Sequence, residues 1–113
     1  MQGIINTDCV PVPKTHAPAA NTAAVITLAA AAGVRHVVDK IFGSYSAAPT
    51  NGSLTIALTV AGSAVSLVVA ITAAGQFDFD FPVPLQGDEN TAITLTLAAP
   101  GGTVVGVLNA LTR

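Results

Sequence analysis

Four carboxylates lie close together in the second half of the chain: Asp78 and Asp80, two apart, then Asp88 and Glu89 in sequence. Hard cations such as calcium bind where several such oxygens converge. A pair of carboxylates can also act as acid and base on a glycosidic bond. This spacing follows no calcium-loop pattern, and the chain has no tryptophan to stack a sugar ring. Carboxylates on a solvated face need no ligand to account for them. His16 and His36 are far apart in sequence. Neither brings the convergent ligands of a transition-metal site or the adjacent nucleophile that a catalytic base serves. Cys9 is the only cysteine, so an internal disulfide is excluded. These residues assign no enzyme activity, no metal and no cofactor.

The elements that must carry them are strands. In Gln76-Phe77-Asp78-Phe79-Asp80-Phe81 the rings and the acids alternate. An extended chain sends alternate side chains to opposite faces, so Phe77, Phe79 and Phe81 share a dry face and Asp78 and Asp80 a wet one. Pro82 and Pro84 lack an N–H and are expected to end this ladder. A second sheet is expected to close over the three rings.

The same alternation recurs along the chain. Leu54, Ile56, Leu58 and Val60 form one face, and Val65, Leu67, Val69 and Ile71 another; Ala61-Gly62-Ser63 connects them as a hairpin. Ile93, Leu95 and Leu97 alternate with threonines, and a last strand covers 103–112. Residues 22–29 read as a strand through the β-branched centre Val25-Ile26-Thr27, with a short alanine-rich helix as the alternative. Residues 34–47 form a long strand whose apolar phase changes near Val38–Asp39, which points to an inserted residue. Its charges Arg35, Asp39 and Lys40 suit an exposed edge or an intersubunit surface. Tyr45 suits the margin of the core, with its hydroxyl in water or at a partner's rim. Seven strands at this spacing predict an all-β chain: an antiparallel β-sandwich or small jelly roll over 22–113. Residues 1–21, broken by Pro11, Pro13 and Pro18, read as an extended N-terminal arm that reaches roughly 65 Å when fully stretched. Ile4, Ile5, Val10 and Val12 would be its apolar anchors.

Composition narrows the function. Charged residues are 9%, against about 25% in ordinary soluble domains. So weakly charged a surface favours association; either partners cover it, the favoured account, or the protein carries a neutral Thr/Ser face. With net charge −2 and no Lys/Arg cluster, nucleic acid has no electrostatic footprint here. Mean hydropathy is +0.67, yet the most apolar stretch, 57–75, alternates and is interrupted by Gly62, Ser63 and Ser66. It reads as two strands rather than a membrane span. No basic-then-apolar leader opens the sequence, so no signal peptide is expected.

The run from Ala23 to Asp39, the stretch Ser44 to Ile56, and the later blocks Phe79-Asp80-Phe81-Pro82 and Asn90 to Ala98 resemble small virion proteins of tailed bacteriophages, most of all head decoration or cement proteins. The resemblance spans roughly residues 20–113 and lies in pattern, not in a catalytic motif. It implies a structural virion protein that oligomerises, often as a trimer, and clamps major capsid protein junctions on the capsid exterior after synthesis in the host cytoplasm. The arm anchors Ile4, Ile5, Val10 and Val12 would be lattice contacts, and Arg35, Asp39 and Tyr45 an intersubunit surface. The alternative is a phage tail or surface recognition module that binds a receptor or glycan through the 85–90 loop.

Overall fold

A computed structural model describes residues 12–113 of the chain. It contains eight strands: β1 (Val12–His16), β2 (Ala24–Leu28), β3 (Val37–Tyr45), β4 (Ser53–Val60), β5 (Ser63–Ala70), β6 (Gly75–Gln86), β7 (Ile93–Leu97) and β8 (Gly106–Thr112). They form two four-stranded sheets, ordered β1-β8-β3-β6 and β2-β7-β4-β5, with every neighbour antiparallel. The path is that of one long hairpin rolled up. Its tip is β4–β5, its two arms pair as β3·β6, β2·β7 and β1·β8, and rolling adds β3·β8 and β4·β7. Eight strands wound in this way make an antiparallel sandwich of jelly-roll type.

The period-two pattern sets which way each strand faces. Ile26, Leu28, Leu54, Ile56, Leu58, Ile93, Leu95, Leu97, Leu108 and Ala110 are buried between the sheets, and the residues between them point out. Burying one large aliphatic side chain contributes about 1.5–3 kcal/mol. A one-residue slip in any of these strands would turn the whole set outward, so the register is strongly specified. The helix alternative at 22–32 fails for this reason: Ala24, Ile26 and Leu28 alternate in burial with Val25 and Thr27, which only an extended chain allows.

Three further features differ from, or sharpen, the expectation. The phase change in β3 is a register irregularity between Val38 and Lys40, seen against both neighbours. There Asp39 is the additional residue, and burial switches phase across it. Pro82 and Pro84 do not end the phenylalanine strand. β6 continues to Gln86, because the prolines fall where its pairing with β3 is interrupted, between Asp80↔Lys40 and Leu85↔Val38, on an edge strand with no outer neighbour to supply. Finally, residues 12–16, which the sequence reading placed in the arm, form an edge strand registered on β8 from Val12↔Thr112 to His16↔Leu108. The strand count is therefore eight rather than seven, and residues 1–11 lie outside the described part.

The two sides of the sandwich are finished differently. On one side β1 lies against β2, and the Val25 N–H donates to Nδ1 of His16 at 2.8 Å, a link from one sheet to the other. On the opposite side the strand orders place β6 over β5. There the second sheet does not close over the rings: Phe77, Phe79 and Phe81 are only half-buried, and Leu67 and Val69 of β5 are 41% and 36% exposed although they share the inward face with buried Ile56 and Leu54.

Candidate functional site

The polar residues singled out in the sequence are used within the chain. Asp88 sits in the loop after β6, and its carboxylate accepts the N–H groups of Ala61 and Gly62 at 3.0 and 2.8 Å. Both residues have positive φ, 50° and 79°, as a two-residue type I′ hairpin turn requires. The hydrogen bonds from Gly62 and then Ala61 hold the Asp88 carboxyl below its ordinary pKa, with a smaller contribution from the Arg35 charge. Asn90 Oδ1 accepts from the Gly33 N–H at 2.7 Å, and the Asn90 N–H donates to the Val34 carbonyl. The 86–90 loop therefore fastens the β4–β5 turn and the 31–35 turn to the sandwich. The Asp88 and Asn90 side chains serve neighbouring backbone, while Gln86 and Glu89 of the same loop are exposed.

Asp78 and Asp80 have a different partner. Their carboxylates flank the Lys40 ammonium at 3.3 and 3.7 Å, and the hydrogen bond that Lys40 donates to Asp78 raises the Lys40 pKa, helped by both negative charges. The four acids suggested by sequence are thus split between two places. Among the described residues no group of three or more His, Cys, Asp or Glu side chains is placed to hold a metal. His36 Nε2 lies 2.7 Å from the Ala29 carbonyl, seven residues earlier, and so, like His16, is engaged with backbone of the chain.

Of the expected contact residues, Ile4, Ile5 and Val10 fall outside the described part. Tyr45 requires a correction. It is 1% exposed, its hydroxyl donates to the Ala98 carbonyl at 2.9 Å, and burial pushes its phenol pKa up. It is a core residue, not a margin one, because β3 is an inner strand and its last inward position lies over Gly106. For the same reason Asp39 and Lys40 guard no edge. Asp39 takes two hydrogen bonds from the Arg113 guanidinium, both 2.8 Å, across the half-buried end of β8.

Val12, Arg35 and Arg113, the partner of Asp39, do come together. A groove of about 620 Å³ opens between β1, the end of β2, the 33–37 segment and the end of β8. Its lining includes Val12, Lys14, Val34, Arg35, His36 and Arg113. Three of the chain's four Lys/Arg residues therefore gather on one groove of a protein whose net charge is −2. Val12 and Val34, 45% and 40% exposed, add apolar surface among them. Sequence inspection missed this cluster because Lys14, Arg35 and Arg113 are far apart in the chain; the pairing of β8 with β1 on one side and with β3 and Val37 on the other gathers them.

No protein-family model matches the chain, and no curated protein matches it. Among solved structures the chain is similar to one titled "Family 16 Carbohydrate Binding Module-2", at 15% identity and a TM-score of 0.47, over 86% of this chain and 74% of that one. A likeness of that size carries no statement about what this chain binds.

Proposed function

We propose that the protein is a structural virion protein that decorates a phage capsid, self-associating and docking on the outer shell across junctions of the major capsid protein. The observation that carries this reading is the cationic, partly apolar groove along β1 and the end of β8. Lys14 and Arg35 are exposed at its margin, and Val12, where residues 1–11 join the sandwich, lines it. An acidic segment of a partner with apolar side chains is complementary to it in charge and in character. The weakly charged surface and the jelly-roll winding, recurrent in viral capsid and lectin domains, fit the same role by fold analogy. The reading contains no catalytic step. Each docked copy adds its binding free energy to what must be overcome to open the shell, and many weak contacts on a lattice combine by avidity.

The test is co-sedimentation of the purified protein with expanded shells of the major capsid protein from the same phage. The double substitution K14E/R35E changes only exposed side chains. We expect it to weaken retention by about tenfold or more, with wild-type binding falling as salt is raised. Undiminished binding of the variant overturns the groove's role. Absence of wild-type binding, with retention on immobilised glycans instead, replaces the capsid reading with the recognition-module one.

A further inference from the structure

Among the described residues four strands have a free edge, and three of them carry a device that discourages a further strand. β1 has Pro13 and Lys14. β2 is five residues long and has the Val25 N–H capped by His16. β6 has Pro82, Pro84 and an interrupted register. Such features are how sheet proteins avoid edge-to-edge pairing. β5 has none of them. Its sequence Ser63-Ala64-Val65-Ser66-Leu67-Val68-Val69-Ala70 contains no charge and no proline, and it pairs with β4 without a register shift over all eight residues. Both of its faces expose large apolar side chains: Leu67 and Val69 inward, and Val68, 65% exposed, outward, beside the uncharged Ser66.

We infer that β5 is a self-association edge, pairing antiparallel with β5 of a second copy about a two-fold axis at Leu67. Directly opposed residues of an antiparallel pair lie on the same face. A dyad at Leu67 therefore sets Leu67 against its own counterpart and Val65 against Val69 of the second copy. All three positions lie on the inward side, so the β2-β7-β4-β5 sheet continues across the axis with its inward face on one side in both copies. The half-buried rings of Phe77, Phe79 and Phe81 in the overlying β6 then flank the same axis in both copies. A second copy suits this edge because an uncharged strand meets itself without like-charge repulsion, and an isologous contact needs only self-complementarity. A partner recognised through charge would find none on β5. Eight residues span about 27 Å, and a sandwich side roughly 20 Å deep gives on the order of 1,000 Å² in total, at the lower bound for a specific interface. The association is therefore concentration-dependent. It does not rest on the capsid reading and holds whatever the protein docks on.

The experiment is sedimentation equilibrium from about 1 µM to 1 mM on wild type, L67K, L67D and an equimolar mixture of the two variants, with circular dichroism to confirm the fold. Wild type is expected to rise toward twice the 11.2 kDa protomer mass. Each variant alone, which opposes like charges at the dyad, should stay at the protomer mass, and the mixture should regain the dimer. A wild-type protein that stays monomeric throughout overturns the inference. So does a trimer indifferent to both substitutions, or folded variants whose mixture fails to associate. Association that survives both variants but is lost when residues 1–11 are removed would hand the edge to that segment instead. Should the variants not fold, amide exchange on wild type decides. The β5 N–H groups that point away from β4 should gain protection at high concentration, and unchanged exchange overturns the pairing.

Discussion

Asp88 shows how a residue type that suggests chemistry can serve architecture. Its carboxylate takes two backbone N–H groups of a turn that lies far away in sequence, and those hydrogen bonds depress its pKa. A carboxyl stabilised in its charged form when folded contributes stability above its unfolded pKa, near 3.8, and that contribution is lost as pH falls through the lower folded value. D88N can accept only one of the two N–H groups, so it should lower the thermal midpoint by a few degrees at neutral pH. The deficit should vanish in acid, once the wild-type carboxylate is itself protonated. A melting series from pH 7 to pH 2 on both proteins checks this; a deficit constant with pH would mean that the charge plays no part. Tyr45 is the converse case. A tyrosine at the end of a strand gave no hint in sequence that its hydroxyl would be satisfied by Ala98, because that carbonyl belongs to a strand end half the chain away.

At the scale of elements the period-two pattern was decisive, and the misses have one cause. β4 and the β4–β5 hairpin, β7 and the phase change in β3 were legible because each is written in consecutive residues. β1 was not, since a proline-containing segment reads as an arm until β8 offers it an edge, and Pro13 suits an edge strand. The half-exposure of the phenylalanine strand was missed because alternation tells which residues share a face, not whether the strand lies at the margin of its sheet. The groove was missed for the same reason, since its cations come from three separate segments. The β4–β5 turn carries its own prediction. Ala61 occupies the left-handed region at φ 50°, where a Cβ-bearing residue is strained and asparagine is better tolerated. A61N should therefore raise stability by about 0.5–1 kcal/mol, read from the midpoint of urea unfolding at unchanged slope. A loss of stability would mean that Asp88 already compensates the turn fully.

Over the whole molecule, one side of the sandwich is tied by β1 and His16 and the other is left open at β5 and β6. Among the described residues β1 has one sheet neighbour, and its hydrogen bonds to β8 and the Thr112 hydroxyl bond to the Val12 carbonyl close the first sheet beside the groove. Removing residues 1–16 should therefore lower the melting temperature by about 5–10 °C relative to removing 1–11 alone. Equal melting of the two truncations would show that β1 adds nothing to the fold. The winding of the chain also bears on how it is made. Only the β4–β5 hairpin joins strands close in sequence, while β1 waits for a partner that ends at Thr112. Loops of that span close slowly, and sandwiches of this kind fold in milliseconds to seconds. The hairpin is therefore the natural starting point, with pairing spreading outward from it. β1, made before its partner β8, is among the last strands to find its place, and the uncharged β5 edge is formed before much of the sheet that would flank it.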